Sequence, residues 1–300
     1  MSPALLKPPP ALGFRHGITI TGGWIDARPD AKRYKGRRMN LLRKLGLVSA
    51  SRKQPRGKSG CRAYAVGDIH GRLDLVDAML AQIEQDIATR PPARTYIVFL
   101  GDFIDRGPDS AGVVERLRTY QNPQAELVCL SGNHEEVLLE ILAGKLGVLP
   151  AWLKFGGIEC AESYGIDTEA LRQADERKAI EMVRNKVPRA HREFLRNLGD
   201  TFRFGDYLLV HAGIRPGVGL EEQDRKDLRW IREPFLGDTK EHGFVVVHGH
   251  TIVRDVEERS NRIGIDTGAY QSGVLTALGI EGAQRWFLRV EREPGARAAA

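Results

Sequence analysis

The chain has 300 residues, 42% of them hydrophobic and 28% charged, and a formal net charge of +6, which together are typical of a globular protein with a large core. No apolar run approaches the roughly 18–20 residues that a membrane span needs, so the sequence predicts no transmembrane segment. The three cysteines are scattered and form neither a disulfide framework nor a CxxC site, which is typical of a reducing compartment and predicts a cytoplasmic location.

The positive charge is concentrated at the N-terminus. Residues 1–60 hold fourteen Lys and Arg residues against two acids, whereas the rest of the chain holds thirty-one against thirty-seven. This composition predicts a basic, disordered extension. The alternative is an arm that contacts a polyanion, such as RNA or DNA, or an anionic lipid surface. Met39 opens the short amphipathic stretch "MNLLRKLGLV", so the sequence leaves Met1 and Met39 open as the translation start.

From residue 61 onward, short apolar runs alternate with amphipathic helical patterns. The predicted strands are "RAYAV", "TYIVFL" and "AELVCLSGNHE", and the predicted helices are "RLDLVDAMLAQIEQDIATR", "DSAGVVERLRTY" and "EEVLLEILAG". Asp109 or Ser110 is the expected N-cap of the second helix. This alternation predicts parallel strands with crossover helices, whose C-terminal strand ends share the sheet edge where α/β folds bind ligands.

The second half of the chain predicts helices and then strands. Residues 144–200 are predicted to be a helical insertion, in which "AWLKFGG" is a packing and turn element or, alternatively, part of a substrate groove. Five β-rich runs then predict a second sheet facing the first: "YLLVHAG", "GFVVVHGHT", "RIGIDTGAY", "GVLTALGI" and "QRWFLRV". Residues 291–300 are predicted to be a frayed tail.

Polar side chains collect where these strands are predicted to end. They are Asp68, His70, Asp102, Asp105, Arg106, Asn133, His134, His211, His248 and His250. Ionised groups at buried strand ends are costly unless something pairs with them. A mixed oxygen and nitrogen donor set without thiolates favours manganese, iron or zinc over calcium or a structural zinc. A shared carboxylate can bridge two metals about 3.5–4 Å apart, as in two-metal hydrolysis, and Arg106 suits bidentate contact with phosphate.

Five ordered motifs now carry a family resemblance. They are "GDIHG" (67–71), "GDFIDRG" (101–107), "GNHE" (132–135), "HAG" (211–213) and "HGH" (248–250). In this order they resemble the serine/threonine-specific phosphoprotein phosphatase family of calcineurin-like metallophosphoesterases, closest to its bacterial and phage-type branch. The resemblance implies an α/β fold, a four-layer α/β/β/α sandwich with two mixed β-sheets flanked by helices, over a catalytic domain at residues 61–290.

The resemblance also implies roles for the motif residues. Two divalent or trivalent metal ions are expected, manganese foremost, with iron or zinc as alternatives. The first ion would bind Asp68, His70 and Asp102. The second would bind Asp102, Asn133, His211 and His250. His134 would be the general acid, oriented by Asp105. Arg106, together with Arg232 of "LRWIREPF", would clamp the phosphate.

The implied reaction is hydrolysis of phosphoserine and phosphothreonine monoesters in phosphoproteins or phosphopeptides, by direct attack of a hydroxide that bridges the two metals. The alternatives are a symmetrical diadenosine tetraphosphate hydrolase, a small-molecule phosphoesterase, or a non-catalytic phosphate-binding module. The Asp-Arg pair in "GDFIDRG" favours the protein phosphatase. The sequence leaves the roles of three further residues open. His248 is a candidate metal contact, Tyr270 a residue of the pocket or the core, and Asp266 a turn residue.

Overall fold

The structure, a computed structural model, describes residues 54–293. In this range, ten strands form two mixed five-stranded sheets. The first, in the order β10-β9-β1-β2-β3, contains β1 (Cys61–Val66), β2 (Arg94–Phe99), β3 (Ala125–Cys129), β9 (Val274–Glu281) and β10 (Gln284–Glu291). The second, in the order β4-β5-β6-β8-β7, contains β4 (Thr201–Phe204), β5 (Tyr207–Val210), β6 (Val245–His248), β7 (Glu257–Glu258) and β8 (Arg262–Gly264).

The pairing confirms one part of the predicted topology and corrects another. Strands β1, β2 and β3 are parallel, as the strand–helix alternation predicted. Strands β9 and β10, expected in the second sheet, belong to the first, because β9 pairs antiparallel with β1. Their sequences indicate a hairpin, but the choice of sheet depends on which open edge the hairpin meets, and this is a long-range contact. Strand β4 was not predicted.

Alternation along β1 shows why the sheets stack. Ala63 and Ala65 pack between the two sheets against residues such as Leu209, whereas Tyr64 and Val66 face the helices on the outer side. A third apolar cluster covers the outer face of the second sheet. The result is the predicted arrangement of two mixed sheets flanked by helices.

The helices largely follow the predicted pattern. They are Leu73–Thr89, Ser110–Thr119, Asn133–Leu142, Leu149–Trp152, Ile158–Ser163, Thr168–Gln173, Glu176–Lys186, Arg189–Arg196, Arg225–Trp230 and Ala269–Ser272, with a kinked turn at Leu153–Gly157 and a 3-10 turn at Leu220–Glu222. Asp109 is the N-cap of the second helix and accepts the Gly112 N–H at 2.7 Å. The third helix begins at Asn133, earlier than predicted, because Glu135 accepts the N–H of the N-cap residue Gly132.

The described chain begins inside the segment that was predicted as an extension. The Gly57 N–H donates to the Gly282 carbonyl at 2.7 Å, and the Arg56 N–H donates to the Asp206 carboxylate at 2.9 Å. The proposed polyanion arm, Met39 and most of the predicted tail lie outside the described residues. Within residues 54–293, no helix is both long and apolar enough to cross a membrane.

Candidate metal centre and phosphate cavity

Both sheets deliver polar residues to one place. Asp68 and His70 follow β1, and Asp102 follows β2. His211 follows β5, and His250 lies two residues beyond the end of β6. Because β1 and β2, and likewise β5 and β6, are parallel, their C-terminal ends lie at a common edge of each sheet. Asn133 and His134 join them from the first turn of the helix that follows β3.

Asp102 is the centre of this cluster. Its carboxylate lies 3.5 Å from His70 Nε2 through one oxygen and 3.5 Å from His211 Nε2 through the other. The same carboxylate accepts the backbone N–H of His134 at 3.1 Å. Two groups of donor atoms, each close enough to share an ion, therefore meet at Asp102: His70, Asp102 and His134, and Asp102, His211 and His250.

Backbone contacts orient two of the imidazoles. His70 Nδ1 lies 2.9 Å from the Ile104 carbonyl, and His211 Nδ1 lies 3.0 Å from the Leu100 carbonyl. Each Nδ1 must carry the proton, since a carbonyl only accepts, and this leaves Nε2 unprotonated and able to bind a metal ion. Such a partner on the far nitrogen is the usual arrangement of metal-binding histidines. His211 Nε2 also lies 3.0 Å from Asn133 Oδ1, which places both predicted ligand atoms together.

The charge states of the cluster suit metal binding. Burial lowers the pKa of three imidazoles: His70, His211 and His250, the last to about 3. They are neutral at pH 7, as ligands must be. Burial alone would raise the pKa of Asp102, but the surrounding imidazoles, His211 foremost, hold it well below its usual range. His134 differs, because its carboxylate neighbours, Asp102 foremost, outweigh burial and raise its pKa.

The residues fit a metal centre on three observations. His250 Nε2 is buried and has no hydrogen-bond partner among residues 54–293. Gly132 and Gly249 have the carboxylates of Asp102 and Asp68 where a Cβ would lie, so only glycine allows this close approach. Neutral imidazoles grouped around an ionised carboxylate are the donors that manganese, iron and zinc accept.

Backbone strain is concentrated at the same residues. In the part of the chain that the structure describes, five non-glycine residues have φ between 48° and 71°, and all belong to the predicted site: His70, Asp102, Asp105, Arg106 and His250. Each such residue costs of order 1–3 kcal/mol and persists only where the surroundings enforce it. The strain therefore marks the site independently of the side-chain chemistry.

Asp266 contributes more than a turn. It accepts the Gly268 N–H at 2.9 Å, as a turn residue would, but its side chain also contacts Asp68. Burial and the nearby Asp102 charge outweigh the Gly268 hydrogen bond and raise the pKa of Asp266 to about 6. Burial and Asp266 also raise the pKa of Asp68, whose carboxylate accepts the His250 N–H at 3.0 Å. Two carboxylates crowded together in this way favour a bound cation.

His134 and Asp105 form a buried pair. His134 Nδ1 lies 2.6 Å from Asp105 Oδ2, and the indole N–H of Trp152 donates to Asp105 Oδ1 at 3.0 Å. Asp105 has no exposed surface. The Trp152 contact was not predicted. The stretch "AWLKFGG" carries no catalytic or metal-binding motif, and only the fold brings Trp152 to Asp105.

A cavity of about 600 Å³ opens onto this pair and the Asp102 cluster. Arg106 and Arg232 line it with two guanidinium groups, and Arg106 Nη1 lies 2.9 Å from His70 Nε2. Tyr270 also lines the cavity, and the Arg106 guanidinium carbon lies over its ring, 4.9 Å from the ring centre. The open rim carries exposed apolar side chains: Phe155, Trp230 and Ile252.

His248 lies apart from the potential metal ligands around Asp102. Its ring packs on Phe235 with 5.1 Å between ring centres, and its Nε2 faces Arg262 at 3.5 Å. It belongs to neither group of potential ligands. Among the residues left open by sequence, Tyr270 therefore reaches the cavity and His248 does not.

Comparisons with known proteins agree with this geometry. The profile of the calcineurin-like phosphoesterases matches residues 61–274. The chain belongs to this family. It is 29% identical over 231 residues to serine/threonine-protein phosphatase 1 of Salmonella typhimurium, in an alignment that covers 75% of this chain and 94% of that protein. It is 26% identical over 287 residues to a symmetrical bis(5'-nucleosyl)-tetraphosphatase of Methylobacillus flagellatus, in an alignment that covers 78% of this chain and 98% of that protein.

A solved structure assigned as a diadenosine tetraphosphatase has the same fold. It superposes with a TM-score of 0.54 at 20% identity and covers 78% of this chain and 98% of that one. The chain is thus a member of a hydrolase family. The names of its relatives differ in the substrate, which is a phosphoprotein for some and a dinucleoside tetraphosphate for others.

Proposed function

We propose that the protein is a metal-dependent serine/threonine protein phosphatase. The observation that carries this proposal is the buried Asp105–His134 pair, 2.6 Å apart, at the cavity beside Asp102. Serine and threonine alkoxides are poor leaving groups, so their departure needs a proton donor in place. A phosphate group that leaves from a phosphoanhydride needs such a donor far less. A well-held acid therefore supports phosphomonoesters of alcohols as substrates.

The metal ligands keep their expected roles within this proposal. Asp68, His70 and Asp102 would hold one ion, and Asp102, Asn133, His211 and His250 a second. Bound ions would lower the pKa of a water and neutralise charge on the phosphoryl oxygens. Manganese is the proposed metal, with iron or zinc as alternatives, and the cytoplasm is the proposed location.

The remaining residues act on the substrate directly. Arg106 and Arg232, both in the cavity lining, would bind the phosphoryl oxygens. A hydroxide, formed when a water loses one proton to solvent, attacks phosphorus as the ester P–O bond breaks, and His134 Nε2 gives its proton to the departing alkoxide. Asp105 holds His134 Nδ1 and stabilises the imidazolium before that transfer.

A second candidate is hydrolysis of dinucleoside polyphosphates. Phe155 and Trp230 line the cavity with 58% and 39% of their surfaces exposed. Exposed aromatic rings at a phosphate site are suited to stacking on a nucleobase. The names of several relatives point the same way.

Parallel assays separate these candidates. Metal-stripped enzyme with manganese restored would be given phosphoserine and phosphothreonine peptides, diadenosine tetraphosphate and small phosphomonoesters, alongside Asp102→Asn and His134→Ala. Manganese-dependent turnover of the peptides, lost in both variants, supports the proposal. Turnover of the dinucleotide alone moves the function to nucleotide hydrolysis, and turnover of small phosphomonoesters alone moves it to metabolite hydrolysis. Metal binding without any turnover identifies a binding module and overturns the proposal.

A further inference from the structure

The segment Trp152–Gly157 is built against the proposed catalytic residues. It contains a kink between two short helices, in which Phe155 and Gly156 leave the helical conformation. Its first residue contacts Asp105, and the carbonyl of Gly156 accepts the backbone N–H of Arg106 at 2.9 Å. This one short segment therefore contacts both Asp105 and Arg106, although these lie about 45–50 positions earlier in the chain.

We propose that Trp152 is a positioning residue for the general acid. Its indole N–H holds one oxygen of Asp105, so that the other oxygen keeps His134 aimed at the leaving group. This inference rests on the proposed phosphomonoesterase function and adds to it a residue outside the family motifs.

The Asp105 carboxylate is held from both sides. Trp152 Nε1 donates to Oδ1 at 3.0 Å, and His134 Nδ1 lies 2.6 Å from Oδ2. The Cys160 thiol adds a weaker contact, and the Asp105 N–H donates to Ser110 Oγ at 2.9 Å. Rotation of the carboxylate would break both strong contacts together. All of these side chains are buried, so water does not replace a lost partner freely.

The glycines of the turn make this contact sterically feasible. Gly156 has φ of +105°, and a Cβ there would lie 2.5 Å from the backbone nitrogen of Arg106. A Cβ on Gly157 would overlap the Trp152 ring. The indole is therefore confined on one side by its own turn and on the other by Asp105. This arrangement also supports the left-handed backbone of Asp105 and Arg106, with φ of 71° and 68°.

The test uses the leaving group as the readout. Trp152→Phe keeps a ring but removes the N–H. Trp152 replaced by benzothienylalanine keeps the full bicyclic shape and removes only the N–H, so it controls for loss of packing. Both would be assayed with manganese on a phosphoserine peptide, phenyl phosphate and 2,4-dinitrophenyl phosphate. Manganese content and thermal unfolding would be measured on every protein.

We expect kcat/KM to fall about 10-fold or more for the peptide and phenyl phosphate, because general acid catalysis contributes about 10²–10⁴ in rate. The dinitrophenyl ester, whose leaving group needs no proton, should stay within about threefold. His134→Ala should show the same pattern with a larger loss. Trp286→Phe is the matched control, since its indole also donates to a carboxylate, that of Asp86 at 3.1 Å, but lies outside the cavity lining.

Three outcomes would overturn the inference. An equal loss on all substrates would make Trp152 a purely structural residue. No loss on any substrate would show that the indole N–H is not needed. Failure of the wild-type protein to hydrolyse any phosphomonoester would remove the proposed function and this inference together, which distinguishes it from the first two.

Discussion

The carboxylate of Glu135 accepts the backbone N–H of Asp102 at 2.9 Å, across 33 positions of sequence. The same side chain accepts the N–H groups of Phe103 and Gly132, each at 2.8 Å, and has no exposed surface. It thus ties the start of the third helix to the loop that holds Asp102 in its left-handed conformation. Glu135 binds no metal in our proposal, yet it determines where the shared ligand lies.

Replacing Glu135 by Gln tests this link. The amide has one acceptor oxygen and an NH₂ group that would face at least one of the three N–H donors. An unsatisfied buried donor costs about 1–3 kcal/mol, so the metal-free protein should lose about 2 kcal/mol of unfolding free energy in urea. Manganese affinity by calorimetry should fall about 10-fold or more. Glu140→Gln, on the same helix but paired with Lys145 at the surface, should change little. Unchanged stability in Glu135→Gln would contradict the link.

The shared position of Asp102 predicts a pattern of metal stoichiometry. The two donor groups have only Asp102 in common. After equilibrium dialysis with manganese, elemental analysis should find about two ions in the wild type and about one in His70→Gln or His250→Gln. Asp102→Asn should retain neither ion firmly.

His191→Gln is the matched control for these substitutions. Its imidazole is also buried, but it bonds to Tyr164 and Glu115 rather than to the Asp102 cluster. It should keep about two ions. A wild-type protein that binds a single ion, or an Asp102→Asn variant that keeps both ions firmly, would disprove the bridging role of Asp102.

Local patterns in the sequence predicted most of what lies near the candidate metal centre. Strand ends are visible as apolar runs that stop at glycine, and parallel strands bring those ends together. This is why Asp68, Asp102 and Asn133 could be placed together, whereas His211, which follows a strand of the second sheet, was placed with Asp102 only by the family resemblance. All six residues of β1 are buried, and they alternate between two apolar clusters because successive side chains of a strand point to opposite faces.

Long-range contacts were what the sequence did not reveal. The pairing of β9 with β1 joins opposite ends of the domain, and nothing local to either strand specifies it. Trp152 and Asp266 have ordinary neighbours in sequence and obtain their roles only from the side chains that the fold places against them. Glu135 stood inside a recognised motif, but its three backbone partners come from two different loops.

Arg232 offers a test of the phosphate-binding cavity. It lines the cavity, and its charge helps to lower the pKa of His250. Arg232→Lys keeps the charge but loses the planar pair of donors. The inhibition constant of inorganic phosphate should therefore rise about 10-fold, which corresponds to about 1.4 kcal/mol. Arg225→Lys, on the same segment and paired with Asp200 at the surface, should leave it unchanged. Equal constants for all three proteins would place the phosphate elsewhere.

His248 predicts how the metal-free protein responds to acid. Burial, reinforced by the Arg262 charge and opposed by the Gly249 carbonyl, lowers the pKa of His248 to about 4. In the unfolded chain this imidazole titrates near 6.5. Between these values the unfolded state binds more protons, so the stability contributed by neutral His248 is complete above pH 6.5 and lost as pH falls to 4. The loss from this side chain is about 3 kcal/mol at most.

Urea unfolding of metal-free wild type and His248→Asn at pH 7, 6, 5 and 4 measures this contribution. Asn keeps a donor near the Gly249 carbonyl but cannot become charged beside Arg262. The variant should be less stable than the wild type at pH 7, because the smaller side chain leaves space beside Phe235. Between pH 7 and pH 4 the variant should lose less unfolding free energy than the wild type, by up to about 3 kcal/mol. The stability curves of the two proteins should therefore converge toward pH 4. Parallel curves would show that His248 does not titrate in this range and that the acid sensitivity comes from other groups.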